Sequence, residues 1–420
     1  MLTSSPDEPS LPVEPDRDGK PADKPGQHAE PFVIVYGPQL ASYDFGKSHP
    51  LQPRRYQLTM LLLSALGWLD TPGVQLESPQ AATITELLAV HSYSYIQAVE
   101  TAQAIARGER PAVNLEVYGL ATPDNPLFPD MHEAAALYTG ASIKAMRALL
   151  EGRAVHAYSP AGGQHHAHRS RASGFCIYND CAAAIAAAVE AGLRVAYVDL
   201  DAHHGDGVQA AFYEDPRVLT ISIHEAGEFL FPGTGDTGEL GRGEARGTSL
   251  NIPLPAFAGN EAYLQAFERV IAPAVRIFAP DLLVTQIGAD SHHADPLTHL
   301  TTTLALFPDL AERLHGLVHE CAGGRWLILG GGGYDSADVT PRAWAAFIGT
   351  VLGQEVRDVR LPEEWLRASR QAGGDPPAYL LEDPGPGYVP RPAYELEPVL
   401  AELERRGLAE LRAHLEQRKL

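Results

Sequence analysis

The chain has 420 residues, of which 45% are hydrophobic and 20% charged, a balance typical of a globular protein with a sizeable core. Its formal net charge is −21 and it has no basic tract, which argues against a nucleic-acid-binding protein. Its three cysteines form no C-x-x-C pair, and no apolar run suits a signal core or a membrane span. We therefore expect a cytoplasmic protein with reduced thiols and no membrane contact.

The first part of the chain, residues 1–30, is rich in Pro, Asp, Glu and Lys, so we expect a disordered acidic tail there. A strand is predicted at 31–36. Helices are predicted at 56–67, 86–107 and 132–150. We expect one catalytic domain over 31–385 and a C-terminal helical extension over 386–420.

A run of short apolar segments follows, each ending in polar or glycine-rich residues. These predicted strands are 155–158, 195–200, 218–223, 282–287 and 326–329. Helical patterns separate some of them, at 180–191, 262–278 and 308–320. Strands that alternate with helices predict an α/β fold with a central, mainly parallel sheet covered on both faces. Ligands of such sheets bind beyond the carboxyl ends of the strands.

The C-terminal segment 394–415 has leucines at near-helical spacing. That pattern predicts either a helix that packs on the domain or an oligomer contact, and it leaves the oligomeric state open.

The most informative stretch is YVDLDAHHGDG at 197–207, which follows an apolar run. Alternate residues of a strand face the same way, so Asp199 and Asp201 share a face and His203 follows as the strand ends. Carboxylates and an imidazole at a strand's carboxyl end are typical ligands of a divalent metal. The alternative is a polar loop with satisfied histidines, which the combined pattern makes less favourable.

Two further histidines, His165 and His166, lie in the glycine-rich turn GGQHHA at 162–167. Histidine suits proton transfer near neutral pH. The stretch at 197–207 has more carboxylates, including Asp206, than a metal requires. Because a carboxylate on one ring nitrogen orients an imidazole, the surplus predicts two His–Asp pairs.

A third candidate metal ligand is Asp290, which ends another apolar strand. Two aspartates and one histidine leave a coordination position for water and substrate, as a catalytic metal site needs. The adjacent His292 and His293 are expected behind the ligands or at the rim.

The glycine run GGGGY at 330–334 also follows a strand. It lacks the spacing of a phosphate-binding loop and instead predicts that Tyr334 is placed to donate to a developing oxyanion. The aromatic side chains of Phe175 and of 229–231 are interpreted either as core or as walls of a narrow apolar tunnel.

Taken together, these stretches resemble the zinc-dependent histone deacetylase superfamily, and among its members the bacterial acetoin-utilisation deacetylases. The resemblance covers roughly 33–350. The matching stretches are YDFGKSHPLQPRR (43–55), HSYSYI (91–96), GGQHHA (162–167), ASGFCIYND (172–180), DLDAHHGDGVQAAFY (199–213), FPGTG (231–235), GADSHHADPL (288–297) and GGGGY (330–334).

The resemblance implies an arginase–deacetylase fold and Zn²⁺, or alternatively Fe²⁺, bound by Asp201, His203 and Asp290. It implies two catalytic pairs, His165 with Asp199 and His166 with Asp206, and Tyr334 as the oxyanion donor.

Further roles are implied for residues around the substrate. Substrate contacts are implied for Gly174, Phe175, Phe231 and Leu297 in the tunnel, for Asp124 at the rim, and for Arg55 beside an internal acetate passage. A structural K⁺ is implied near Asp199, Asp201, His203, Ser222 and Ile223. Polyamine-selective relatives carry glutamate where this chain has Leu297, which favours acyl-lysine here.

The function implied is hydrolysis of N-ε-acetyl-lysine in proteins or peptides, with release of acetate. Two alternatives stay open. One is deacetylation of acetylpolyamines or of another small-molecule amide, and the other is a regulatory metal-binding scaffold without turnover.

Overall fold

The structure, a computed structural model, describes residues 30–383 and 392–417. In those residues eight strands form one sheet in which every pairing is parallel, in the order β2-β1-β3-β8-β7-β4-β5-β6. The strands are β1 (Phe32–Val35), β2 (Val74–Glu77), β3 (His156–Ser159), β4 (Val195–Asp199), β5 (Val218–Glu225), β6 (Ser249–Leu254), β7 (Leu282–Gln286) and β8 (Trp326–Leu329). The predicted parallel α/β sheet is confirmed.

Helices flank the sheet, and they bury its central strands on both faces. They are α1 (Arg54–Ala65), α2 (Ile84–Leu88), α3 (Tyr93–Ala106), α4 (Met131–Leu150), α5 (Asp180–Glu190), α6 (Asp206–Phe212), α7 (Asn260–Ala266), α8 (Ala272–Phe278), α9 (Leu306–Cys321), α10 (Val339–Val351), α11 (Glu363–Gln371), α12 (Glu397–Glu402) and α13 (Leu408–Gln417).

Neither edge strand was predicted from the sequence. The outer strand β2 reads VQLE and is only partly buried, so it lacks a long apolar run. The opposite edge strand β6 contains Pro253, a residue that signals a turn in sequence but is tolerated at a sheet edge, where no ladder donor is needed on the open side.

Two predicted helices are interrupted. The segment predicted at 86–107 is two helices, because the Ser92 hydroxyl accepts from the backbone N–H of Tyr95 and starts α3. The segment predicted at 262–278 stays helical but contains a π-turn at Phe267–Ile271 just before Pro273, which has no N–H to continue the regular α-helical ladder.

The C-terminal leucines pack on the domain. Among the described residues, Leu400, Leu403 and Leu411 are buried, and Arg269 forms ion pairs with Glu397 and Glu404. The packing interpretation of this segment is therefore supported. Of the tail predicted over 1–30, residues 1–29 lie outside the described residues, as does the start of the predicted extension, 386–391. Glu30, the last residue of that predicted tail, contacts His156 of β3.

The sheet order decides where the functional side chains meet. Strands β3, β8, β7, β4 and β5 are consecutive neighbours and correspond to the five strands predicted with polar ends. Their carboxyl ends lie along one edge, so segments more than a hundred residues apart in the chain converge there.

Candidate metal-dependent active site

Asp201, His203 and Asp290 form one buried group, called here the carboxyl-edge cluster. The Nδ1 atom of His203 lies 3.1 Å from Asp201 Oδ1 and 2.9 Å from Asp290 Oδ2. Two carboxylate oxygens and one imidazole nitrogen that converge in this way fit a divalent ion such as zinc or iron(II). The three predicted metal ligands are thus brought together.

Other polar groups hold the carboxylates in place. Asp201 Oδ2 accepts from Gln286 Nε2 at 2.6 Å and from the backbone N–H of Gly332 at 2.7 Å. Asp290 Oδ1 accepts from the backbone N–H of Ala202 at 2.9 Å. Each donor holds the oxygen that points away from His203 and so orients the other oxygen of that carboxylate toward the ring, as outer partners of metal ligands do.

The glycine run has a steric purpose at this cluster. A Cβ atom on Gly332 would lie 1.9 Å from Asp290 Oδ2, so only glycine lets the backbone approach the carboxylates. Tyr334 directly follows the run, and its ring centroid lies 6.4 Å from that of His203.

The charges of the cluster favour a cation. Burial and the neighbouring Asp201 carboxylate raise the pKa of Asp290 to about 6. Burial opposes protonation of His203, but Asp201 and Asp290 outweigh it and raise the pKa of His203 well above its ordinary value. Close carboxylates around one ring nitrogen are the environment that a bound cation would neutralise.

The structure brings His165 together with Asp199, and His166 together with Asp206, beside the cluster. The Nδ1–H of His165 donates to Asp199 Oδ2 at 2.8 Å, and the Nδ1–H of His166 donates to Asp206 Oδ1 at 2.7 Å. The two Nε2 atoms are 3.0 Å apart, so both face the same point.

The two imidazoles differ in charge. Burial disfavours a charged His165, but Asp199 and Asp201 outweigh it and raise the pKa of His165 to about 9. Burial and the adjacent charge of His165 lower the pKa of His166 to about 3. The surroundings therefore favour the charged form of His165 and the neutral form of His166, whose Nε2 can accept a proton.

Aromatic and glycine residues form the approach to these groups. The ring centroid of Phe231 lies 5.0 Å from that of His166, and the Phe175 centroid lies 5.7 Å from that of Tyr334. A Cβ on Gly174 would meet His166 at 2.4 Å, so a side chain there would block the path. These three residues border a narrow passage to the site.

The remaining predicted contacts lie farther out or deeper. Asp124 is exposed at the rim, where its carbonyl accepts from His49 Nε2 at 3.2 Å. Leu297 is half-buried, and its N–H donates to Asp295, whose other oxygen accepts from the N–H of Tyr334. That shared carboxylate keeps Leu297 near Tyr334.

Arg55 is buried beside a small cavity. It donates to the Gly333 carbonyl at 3.1 Å, and its Nε atom has no hydrogen-bond partner among the described residues. The cavity of about 10 Å³ also borders His165, His166 and Tyr334, and it has room for about one water molecule.

The predicted potassium residues surround Asp199. Ser222 is paired with Asp199 in the register of β4 and β5, and Ile223 follows it in a fully buried position. The Asp199 carboxylate also accepts from the N–H of Asp201 at 3.2 Å.

Several supporting residues were missed from the sequence. The Tyr197 hydroxyl donates to Asp199 Oδ2 at 2.6 Å, and the alternation of β4 that linked Asp199 to Asp201 could have revealed it. His168 Nε2 lies 3.0 Å from Asp206, and no sequence spacing signalled that contact. His292 pairs with Asp383 at 2.6 Å, in keeping with a place outside the ligand set.

Residues 49–351 match the histone deacetylase domain family. The chain belongs to the histone deacetylase family. The acetoin utilization protein AcuC of Bacillus subtilis (strain 168) is 44% identical over 335 residues, which are 80% of this chain and 85% of the relative. The protein of the same name from Staphylococcus aureus (strain MRSA252) is 37% identical over 341 residues, 81% of this chain and 86% of the relative.

Solved structures agree with this assignment. The crystal structure of a histone deacetylase homologue from Aquifex aeolicus superposes with a TM-score of 0.77 at 29% identity, over 89% of this chain and 100% of that one. A homologue complexed with SAHA gives 0.76 at 30% identity, over the same shares. The protein is thus a hydrolase of a metal-dependent deacetylase family. Within 30–383 and 392–417, no helix combines the length and apolarity needed to cross a bilayer.

Proposed function

We propose that the protein hydrolyses the acetyl amide of N-ε-acetyl-lysine side chains in proteins or peptides and releases acetate. The observation that carries the proposal is the convergence of the carboxyl-edge cluster, two His–Asp pairs and a tyrosine at the end of an aromatic approach. Each part has a use in amide hydrolysis.

Asp201, His203 and Asp290 would hold the catalytic metal. When bound there, zinc or iron(II) supplies a Lewis acid that polarises the acetyl carbonyl and lowers the pKa of a water molecule. Asp199, Asp201, His203, Ser222 and Ile223 would hold a structural K⁺, and Asp199 and Ser222 are paired in the register of β4 and β5.

The proton transfers fall to the two histidines. His166 is neutral and takes a proton from the attacking water, while Asp206 holds its ring in place. His165, paired with Asp199, stays positively charged and stabilises the negative charge that develops. As the C–N bond breaks, a proton passes to the leaving lysine amine from this histidine pair.

Tyr334 supplies the oxyanion donor. Burial and the nearby Asp290 carboxylate raise the pKa of Tyr334 well above its ordinary value, so the hydroxyl keeps the proton that it donates. Released acetate would then pass the guanidinium of Arg55, whose Nε has no partner within the described part of the chain and can donate to an anion.

The side chains that line the approach to the site determine which substrates enter. A neutral acetyl-lysine enters between Phe175 and Phe231 at little desolvation cost, whereas a charged lysine pays far more. Leu297, assigned to the tunnel, offers no carboxylate to a cationic polyamine. Asp124 is exposed and free to hold the backbone of a peptide. The net charge of −21 and the free thiols support a cytoplasmic enzyme that acts on protein rather than on nucleic acid or membrane.

The test compares kcat/KM for an acetyl-lysine peptide and for acetylputrescine. We expect a preference for the peptide, and Leu297→Glu should shift that preference toward the polyamine while Leu381→Glu, a control outside the rim, should not. If wild type prefers acetylputrescine, the substrate is an acetylpolyamine rather than acetyl-lysine. Metal binding without hydrolysis of any acyl amide would favour a scaffold instead.

A further inference from the structure

A second cluster of metal-ligating side chains lies at the amino edge of the sheet. It consists of Glu30, His156, His315 and His319, and it is called here the amino-edge cluster. His156 begins β3, whereas His165 and His166 follow the other end of that strand. The length of β3 alone, at roughly 3.3 Å per residue, keeps the two clusters apart. Nothing in the proposed deacetylation uses it.

Four potential ligand atoms face one point in this cluster. His315 Nε2 lies 3.0 Å from His156 Nε2 and 3.0 Å from His319 Nε2. Glu30 Oε2 lies 2.9 Å from the His156 nitrogen, and 3.4 Å and 3.3 Å from those of His315 and His319.

These separations match a tetrahedral ion. Zinc bonds of about 2.0–2.1 Å to nitrogen and oxygen place neighbouring tetrahedral ligands about 3.3–3.4 Å apart. Five of the six spacings among the four atoms are 2.9–3.4 Å and require shifts of only a few tenths of an ångström. The sixth, between His156 and His319, lies within 4.8 Å.

Three parts of the chain are built to meet there. The carbonyl of Pro31 accepts from the N–H groups of Val155 and His156 and so brings Glu30 alongside β3. His315 and His319 are four residues apart on α9 and share one face of that helix.

The surroundings also fix the rings. The His315 ring stacks on Trp326 with a centroid distance of 6.1 Å. A Cβ on Gly324 would lie 2.9 Å from the His319 ring, so the turn before β8 leaves room for that imidazole.

The buried ring of His156 points one nitrogen at the cluster. Its Nε2 contacts Glu30 and His315, whereas its Nδ1 has no hydrogen-bond partner among the described residues. A neutral imidazole with Nδ1 protonated presents its Nε2 lone pair to a cation.

We propose that the amino-edge cluster binds a structural divalent ion of the zinc class. Three imidazoles and one carboxylate suit zinc, and they fill all four positions of a tetrahedral site. The ion has no open position for a substrate. Its effect is to cross-link the segment before β1 to β3 and α9.

The experiment counts bound zinc in purified, tag-free protein after gel filtration. Wild type should retain two equivalents. The double variant His315→Gln/His319→Gln should retain one and keep its deacetylase turnover. Asp290→Ala should also retain one, because it lacks only the carboxyl-edge ion. The triple variant Asp290→Ala/His315→Gln/His319→Gln should retain none. Glu312→Gln, an exposed carboxylate on the same helix, should still bind two.

Thermal unfolding gives a readout that is independent of turnover. Added zinc should raise the Tm of Asp290→Ala but not that of the triple variant, because a ligand that binds only the folded state stabilises it. Glu30→Gln keeps three imidazoles and should weaken zinc binding without abolishing it.

One result would overturn the proposal: the same zinc content in wild type and in a folded His315→Gln/His319→Gln variant. A double variant that does not fold is replaced by His319→Gln alone. That variant must bind zinc at the amino-edge cluster more weakly than Glu312→Gln does, and equal affinity would also overturn the proposal.

Discussion

The carboxyl-edge and amino-edge clusters draw on the same kinds of side chain but differ in their surroundings. Among residues 30–383 and 392–417, the carboxyl-edge cluster is buried and has three candidate ligands, with two imidazoles, a tyrosine and a cavity beside it. The amino-edge cluster has four, and only its His156 is fully buried. A catalytic metal site needs an open coordination position and proton carriers around it. A structural metal site needs protein ligands at all of its coordination positions.

The location of each cluster follows from the fold. Beyond the carboxyl ends of parallel strands, the chain leaves in loops that can carry Gly332 and Tyr334 against a ligand. At the amino ends the chain is entering the sheet, so a cluster there ties incoming segments together. A substitution in one cluster should therefore leave metal binding at the other edge unchanged.

The largest effect is expected from Asp290→Ala. It removes one of three ligands from the carboxyl-edge cluster and leaves Asp201 without its partner across His203. We expect turnover at background level and loss of the metal equivalent at that edge, measured by activity and by metal analysis. Full metal content in a folded variant would remove Asp290 from the ligand set.

Tyr334→Phe should separate the oxyanion donor from metal binding. Loss of one such donor costs on the order of a hundredfold or more in kcat. We expect that loss with metal content unchanged, because Tyr334 lies outside the ligand set. Turnover like that of wild type would exclude the assigned role.

Gln286→Leu should weaken metal binding at the carboxyl edge only. The variant leaves Asp201 Oδ2 with the Gly332 N–H as its remaining donor among the described residues. Loss of such an outer partner costs about 10- to 100-fold in metal affinity or activity. Competition with a chelator measures the change, and Gln265→Leu on the surface of α7 is the control. Equal affinities for the two variants would show that this amide does not orient the ligand.

The smallest effect on turnover is expected from His91→Gln, which alters the pH dependence of stability. The buried Nε2 of His91 accepts from the Asn179 N–H at 3.0 Å, and its Nδ1–H donates to the His168 carbonyl. Burial lowers the pKa of His91 from 6.5 to about 4. The unfolded chain therefore binds more protons between these values, and stability falls as the pH drops from 6.5 to 4.

The contribution of His91 to that loss is on the order of 3 kcal/mol at most. Denaturant unfolding at several pH values should give a shallower fall for His91→Gln than for wild type. Identical pH profiles would mean that His91 is not held neutral.

Much of the carboxyl edge could be predicted from the sequence, because apolar runs that end in Asp201, Asp290 or Tyr334 reveal both the strands and their polar ends. The edge strands could not, since β2 has little apolar content and β6 contains a proline. The amino-edge cluster could not be predicted from the sequence for a different reason. Its ligands lie at three distant positions, and neither the i, i+4 histidines of α9 nor His156 has meaning until the sheet order places them together.

The most direct test of the central claim is deacetylation of a fluorogenic acetyl-lysine peptide, before chelation, after chelation, and after Zn²⁺ or Fe²⁺ is added back. A metal-dependent lysine deacetylase loses turnover on chelation and regains it with at least one of the two ions. Absence of turnover with either ion, in protein that binds the metal stoichiometrically, would contradict the proposed reaction.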